Sequence, residues 1–561
     1  MAYMLRSQYD FYPSPRKKGD KYFTGTISVV NTDIRVELRF SSHRFLVPPK
    51  AYLIDWQHDS ELRRMLGPAH ISDTGSICYY DESVGFWDAS LALRHTAGAI
   101  NEIKDILEAK AKGNQTQEWT RDFNGYWPKN TPLYLCEKPS NRDVMDELSL
   151  HNNTWLATPD NWPERLEKAE LKPTQWHVLY LRNTPIPEVE NWPPRSLPAL
   201  IQWMTSFTQN PAMLLARALC AKHPKSTAGY KPSKERGIVF YWDEQQPQFF
   251  GIRFSMIPSQ LVAANQGRNK GLASLLNYRP LPIQCDHANF ERTDPAYIHQ
   301  RSLPSGMKTL KNKRILMIGA GAIGGYLAQQ LAALGAGWGA RGLLTLVDYD
   351  LLSSANLGRH ILGINMIGKK KVDALKQYLA DTFPHLEVQA VGNSIFAEEK
   401  LLSYSPDLVV NATGSESVSV ALEMLVRYKF RDRPPIIHGW VLGHGLAAEA
   451  YFRKTEKDAC FRCLWDGVGQ DRTRRRELSK EPELDKAIFA PCHHSFYPFT
   501  VNAAAAAATL MTTMIVDWLQ EIDNETLRHI ILRKDKCFNR PNSKPQRNKS
   551  CSVCAEGVVC D

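Results

Sequence analysis

"RILMIGAGAIGGYLAQQLAALGAG", residues 314–337, sets an apolar strand against a helix, with glycines at 319, 321 and 324 between them. Gly319 and Gly321 let the backbone approach a phosphate, and Gly324 lets the helix pack closely on the strand while its first amides face an anion. Outward from this stretch, strand and helix patterns alternate through "GLLTLVDYD", "KKVDALKQYLADTF", "LEVQAVGNSI" and "PDLVVNATG". That alternation predicts a parallel, doubly wound, Rossmann-like α/β sheet in residues 301–561. The glycines alone fit a hydride-carrying dinucleotide as well as ATP.

The residues after the second strand separate these two ligands. Asp348 ends that strand, where a carboxylate can accept hydrogen bonds from ribose hydroxyls. The run "VDYDLLSSANLGRHILGINMIGKKKVDAL" then supplies cations. Hydride transfer has no use for them here. Attack of a carboxylate on the α-phosphate of ATP builds negative charge on phosphate oxygens, and Arg359 with a lysine of "GKKKV" would stabilise it.

At 561 residues the chain exceeds one ordinary core, since domains usually run to ~100–200 residues. A hydrophobic share of 43% with 23% charged residues is that of an ordinary globular protein. The net charge of +10 sits in scattered clusters such as "DRTRRRELSK", which read as solvated surface plus a phosphate site, so no nucleic-acid partner is expected. The 11 cysteines come without a secretory pattern at the amino terminus, which predicts a reducing, cytoplasmic setting. "FTVNAAAAAATLMTTMIVDWL" is broken by Asn502 and Asp517 and predicts a buried helix, with no membrane span expected.

The series Gly319-x-Gly321-x-x-Gly324, Asp348-x-Asp350, Asn356-Leu357-x-Arg359 and Lys371 resembles the adenylating domain of ubiquitin-activating enzymes and their bacterial sulfur-carrier-activating relatives. The resemblance implies ATP and Mg2+ as cofactors. It implies that Asp348 binds ribose, while Asn356, Arg359 and Lys371 bind phosphates and polarise the α-phosphate; Lys369 and Lys370 compete with Lys371 for that role. At "PDLVVNATGSES" the family carries an aspartate that helps hold magnesium, and this chain has Gly414. Glu416 is the candidate replacement, because a hard cation still needs oxygen ligands. The family also works as a homodimer in which an arginine ahead of the first strand reaches the partner; Arg301 is the candidate, set against a merely exposed basic residue.

"ACFRCLWDG" and "KSCSVCAEG" place Cys460, Cys463, Cys551 and Cys554 in two Cys-x-x-Cys pairs. Four thiolates suit tetrahedral zinc, with Cys560 as an alternative ligand and redox pairing as the other reading. The arrangement resembles the structural Zn2+ site of the activating family. Between the pairs, in "IFAPCHHSFYPFTVN", Cys492 precedes a predicted helix and adjoins His493 and His494, a setting that favours a thiolate. By resemblance to thioester-forming activating enzymes, Cys492 takes the acyl group from the adenylate; a buried structural cysteine is the alternative.

Residues 1–118 open with strand patterns, "KYFTGTISVV" and "IRVELRF", and close with a helix, "ASLALRHTAGAINEIKDILEAKAKG", which predicts an α+β domain. Its Pro48-Pro49 pair, Gly75-x-x-Cys78 and Trp87 before the helix resemble the core of ubiquitin-conjugating enzymes. By that resemblance Cys78 is the receiving nucleophile. The family's asparagine eight residues before the cysteine is replaced by His70, either an oxyanion donor or a loop support. Residues 119–300, rich in Trp and Pro with strands at "GIVFYW" and "FFGIRFSM", read as a mixed α/β connecting domain with no chemical constellation.

The order of conjugating-like domain, connecting domain and adenylating domain resembles the fused ubiquitin-transfer-like enzymes of bacterial antiphage CBASS operons. That family implies a protein partner, the C-terminal carboxylate of a cyclic-oligonucleotide synthase (CD-NTase), which is adenylated, passed through Cys492 and Cys78 and joined to a target amine. A sulfur-carrier adenylyltransferase and a catalytically decayed scaffold are the alternatives.

Overall fold

The computed structural model describes the chain apart from residues 15–20, 42–45, 68, 73, 81–84, 114–126, 129, 131, 142, 161–167, 182–192, 223–233, 243–247, 278–282, 399–404, 431, 468–472, 475–476, 482–487, 491–493 and 556–561. Two compact units divide it, Met1–Asp294 and Pro295–Asp561.

The first unit opens with α1 (Ala2–Tyr9) and a five-stranded antiparallel sheet, β1 (Tyr12–Pro13), β2 (Lys21–Val29), β3 (Thr32–Phe40), β4 (Lys50–Leu53) and β5 (Ser76–Ile77), in that spatial order. Strands β2 and β3 meet through Val30 and Asn31, both at positive φ, the geometry of a tight hairpin. Alternation along β2 buries Phe23, Ile27 and Val29. That face is covered by α3 (Ala92–Ala111), whose Ile100, Ile103 and Leu107 recur at helical spacing on one side. The short α2 (Ser60–Leu66) is capped by Asp59, which accepts from the amides of Glu61 and Leu62.

Farther along, β6 (Leu133–Leu135), β7 (Val144–Leu150), β8 (Asn153–Ala157), β9 (Glu170–Leu181), β10 (Glu235–Trp242), β11 (Gln248–Ser255) and β12 (Asp286–Arg292) close into a barrel, ordered β10-β11-β12-β6-β8-β7-β9. One set of its side chains, including Met145, Trp176, Val178 and Val239, fills the lumen. Within it Glu147 is satisfied by the indole of Trp176 at 2.7 Å and by Arg253 at 2.8 Å. The other set packs under α4 (Leu197–Thr205), α5 (Pro211–Leu219), α6 (Pro258–Asn265) and α7 (Asn269–Leu276). The stretch read as a mixed α/β connecting domain is therefore this barrel with its helical cover.

In the second unit, β13 (Arg314–Ile318), β14 (Leu343–Val347), β15 (Val388–Val391), β16 (Leu408–Asn411), β17 (Ile436–Leu442), β18 (Ala447–Arg453) and β19 (Leu527–Ile531) form a seven-stranded sheet ordered β15-β14-β13-β16-β17-β18-β19. Pairing is parallel from β15 to β17 and antiparallel beyond. Helices α8 (Ala322–Ala333), α9 (Lys371–Thr382), α10 (Glu416–Tyr428) and α11 (Val501–Leu519) cover it. The alanine-rich run is α11, with Ala503, Ala504, Ala507 and Ala508 fully buried, the last three in the main core of this unit. Among the described residues no helix is long and apolar enough to cross a membrane.

Candidate active site

The sheet's winding reverses at β13: the chain first moves to β14 and β15 on one side, then to β16 and β17 on the other. The carboxyl ends of β13 and β16 thus flank a crevice, the place where doubly wound sheets take ligands. A cleft of about 1070 Å³ lies there, lined by Gly319, Gly321, Asp348, Asn356, Arg359 and Lys371 among others. The nucleotide-site residues picked out by the sequence pattern are brought together, with Gly324 just behind them.

Each glycine of the loop does a different job. Gly319 has a φ of +95°, and a Cβ there would lie 2.9 Å from the Ala412 carbonyl carbon. At Gly324 a Cβ would come within 2.0 Å of the Gly319 carbonyl oxygen, so only glycine lets the helix start this close to the loop. Gly321 precedes α8, and a Cβ there would meet no protein atom within 4 Å; the space it leaves is open. Asp348 pins the loop: one carboxylate oxygen accepts from the Ala320 amide at 2.7 Å and the other from the Asp350 amide at 2.8 Å. Each oxygen keeps a lone pair for a further donor.

Of three consecutive lysines, Lys371 is the one that lines the cleft. Lys369 Nζ donates to Gln377 at 2.9 Å and Lys370 Nζ to the Gly392 carbonyl at 2.8 Å. Lys371, 8% exposed, pairs with the Asp350 carboxylate at 2.7 Å, which fixes the position of its ammonium. Arg359 donates to the Tyr497 carbonyl at 2.9 Å and lies over the Phe499 ring at 4.6 Å. Asn356 accepts from the Ser353 amide at 3.0 Å. Gly414 sits on the opposite lip at a φ of +68°, a conformation that strains most side chains. Glu416, the first residue of α10, is exposed in the same cleft. Its carboxylate is of the oxygen-ligand type that hard cations take, and the helix amino terminus suits its charge.

Cys460, Cys463, Cys551 and Cys554 come together as buried free thiols with all four sulfurs within 4.8 Å of one another. Their sulfurs are 3.8 Å apart (Cys460–Cys463), 3.5 Å (Cys460–Cys551) and 3.4 Å (Cys463–Cys554). Disulfide sulfurs lie at ~2.05 Å, whereas a tetrahedral zinc with ~2.3 Å bonds sets sulfurs about 3.8 Å apart. The donor set fits zinc. Amides of Asn548 and Val553 donate to the sulfurs of Cys463 and Cys551, each at 3.4 Å, a second shell that would orient thiolate ligands. Cys492, His493 and Cys560 lie outside the described residues.

In the first unit Cys78 is exposed, directly after β5. The glycine three residues before it is needed: Gly75 has a φ of +82°, and a Cβ would lie 3.0 Å from both the Leu53 carbonyl oxygen and Trp56 Cβ. The hydroxyl of Tyr79 donates to the Pro49 carbonyl, tying the Pro-Pro pair to the cysteine strand. His70, at a φ of +57°, accepts the Cys78 amide on its carbonyl at 2.8 Å, and its Nδ1 donates to the Cys78 carbonyl at 3.1 Å. This doubled link makes His70 a brace for the cysteine backbone. Arg301 is exposed over the Tyr297 ring at 5.8 Å.

Comparison with known proteins agrees with this two-part layout. The ThiF family matches residues 297–553, and prokaryotic E2 family B matches residues 10–136. The chain joins an E2-like domain to a ThiF domain. As a fused E2-like/ThiF protein it is similar over most of its length to ATP-dependent ubiquitin transferase-like proteins named Cap2. It is 25% identical to that of Pseudomonas aeruginosa over 86% of each chain, and 25% identical to that of Escherichia coli over 95% of this chain and 93% of the other. Its ThiF domain is 29% identical to the Molybdopterin-synthase adenylyltransferase of E. coli over 28% of this chain and 61% of that one. The likeness is that of an ATP-dependent adenylating and conjugating enzyme.

The ThiF cleft also holds residues the sequence reading passed over. His360, next to Arg359, donates from Nε2 to the Ala320 carbonyl at 2.8 Å and accepts the Leu362 amide on Nδ1 at 3.1 Å. Burial lowers its pKa below the usual histidine value, so it stays neutral and holds the glycine loop from behind. Its position within "LGRHIL" was the available signal. Behind the cleft, His438 and Glu423 gave none, because their partners are remote in sequence.

Proposed function

We propose that the chain activates the C-terminal carboxylate of a protein with ATP and transfers it through two thioesters to an amine. A carboxylate oxygen of the donor attacks the α-phosphorus and pyrophosphate leaves. Lys371 and Arg359 stabilise the charge that gathers on the phosphate oxygens, Asn356 orients them, and Asp348 holds the ribose. Glu416 would be the protein carboxylate that holds Mg2+, which would supply charge neutralisation at the phosphates. The Cys492 thiolate then attacks the acyl carbon and AMP leaves. The Cys78 thiolate displaces Cys492 in a nearly balanced exchange. A target amine finally attacks the Cys78 thioester, loses a proton and releases the thiolate, leaving an amide. The donor is the CD-NTase of a CBASS antiviral operon, the enzyme acts as a homodimer, and Zn2+ on the four cysteines is structural. A sulfur-carrier adenylyltransferase would leave the exposed Cys78 without a use.

The observation that carries this reading is the cleft that gathers Lys371 and Arg359 opposite a glycine loop pinned by Asp348. Exchange of radiolabelled pyrophosphate into ATP tests it, with a peptide copy of the CD-NTase tail as donor. Exchange should require the peptide's free α-carboxylate and vanish when that carboxylate is amidated. Exchange equal with both peptides, or none with either, contradicts the reading.

A further inference from the structure

A buried polar chain runs from the cysteine cluster to the lip of the cleft. At one end is Phe461, between Cys460 and Cys463, whose amide donates to Glu423 Oε1 at 3.0 Å. Glu423, 2% exposed on α10, takes the Arg453 guanidinium on its other oxygen at 2.6 Å. His438, 0% exposed on β17, donates from Nε2 to Glu423 Oε1 at 3.4 Å. Its Nδ1 accepts from Asn411 Nδ2 at 3.0 Å, and the same amide also donates to Ser419 at 2.8 Å. The amide oxygen of Asn411 accepts from both the hydroxyl and the backbone N–H of Thr413, at 2.8 and 3.1 Å. Thr413 in turn accepts the Ser415 amide at 3.2 Å. Thr413, Gly414, Ser415 and Glu416 form the lip, so every link from thiol cluster to lip is a direct hydrogen bond or one peptide step.

Such a chain is rigid because it is dry and satisfied. One histidine tautomer serves both neighbours, and removing a partner would strand a buried charge or amide. We infer that Asn411, His438 and Glu423 are positioning residues that couple metal occupancy of the four cysteines to nucleotide affinity at the Thr413–Glu416 lip. Metal loss frees the Phe461 amide from Glu423, His438 shifts with it, and Asn411 no longer holds Thr413. The inference rests on the reading of the cleft as a nucleotide site.

The test titrates a fluorescent ATP analogue into the full chain, metal-loaded and after removal of metal with a chelator. Stripping should weaken binding by about tenfold in the wild type, within the ~5–150-fold typical of coupled sites. In His438→Phe, where the link is already cut, stripping should change affinity by less than about twofold; His438→Gln, which can accept from Asn411 and donate to Glu423, should restore the dependence. By reciprocity, saturating nucleotide should tighten zinc binding by the same factor. If His438→Phe does not fold, hydrogen exchange of the wild type decides: metal removal should speed the amides of Thr413–Glu416 and leave those of α9 unchanged. Wild-type affinity that does not respond to metal, an equal loss in wild type and the folded Phe variant, or unchanged exchange at Thr413–Glu416 would each overturn the coupling. Absence of nucleotide binding to the loaded wild type would instead refute the nucleotide reading, and the coupling with it.

Discussion

Two glycines at the β13–α8 junction, three residues apart, carry opposite predictions. Gly324→Ala forces a methyl against the Gly319 carbonyl oxygen at 2.0 Å, an overpacking that costs about 1–3 kcal/mol and should lower the melting temperature of the ThiF domain. Gly321→Ala meets no protein atom, so its melting temperature should stay near wild type while ATP affinity falls, as the methyl takes space needed by phosphate. Thermal melts with and without ATP read both, and equal destabilisation by the two variants would contradict the assignment. Lys371→Ala should cut pyrophosphate exchange by roughly 100–1000-fold, the usual loss for one charge-stabilising donor. Lys370→Ala, whose ammonium is held by the Gly392 carbonyl, should change it little; equal losses would return the role to the lysine run as a whole. At this scale the sequence was readable wherever function compresses residues into a short stretch. Asp348, Asn356, Arg359 and Lys371 fall within 24 positions, close enough for a family resemblance to mark the stretch, while the choice of Lys371 over Lys369 and Lys370 needed the fold. Glu423 and His438, reaching partners on other elements, resemble any buried polar residue until the fold joins them. His70 had two readings, and its bond to the Cys78 carbonyl favours the brace.

Among elements, the alternation that predicted a doubly wound sheet survives because each parallel strand and its crossover helix have distinct periods. The barrel was not legible for the converse reason. Residues 236–242 of β10 are all buried, one set by the lumen and the other by the helical cover, so no polar face is left to mark a strand period. Closure depends on the β9–β10 pairing, which joins strands across a long insertion. The cysteine knuckle, by contrast, announces itself from ligand type and pair spacing. Cys460→Ser should reduce bound zinc from one equivalent toward none and lower the melting temperature by more than about 5 °C, since structural metal contributes folding energy directly. Elemental analysis alongside the melt checks this; unchanged metal content would return the four thiols to a purely packing role.

For the whole molecule, an E2-like match and a ThiF match lie in one chain, and under the proposed relay the first would receive the carboxylate that the second adenylates. Tethering donor and receiver thiols in one chain raises their effective concentration to about the millimolar range for a linker that spans the sites, so transfer need not wait on a second protein. The proposed relay has an order, and order is testable. The most direct measurement incubates the full chain with ATP, magnesium and a CD-NTase as the proposed donor, then resolves thiol-sensitive adducts on a non-reducing gel. Wild type should carry the donor as a reductant-labile adduct, Cys78→Ala should retain one such adduct on Cys492, and Cys492→Ala should carry none on Cys78. An adduct on Cys78 that forms undiminished in Cys492→Ala, or adducts that persist in the double variant, would contradict the two-cysteine relay.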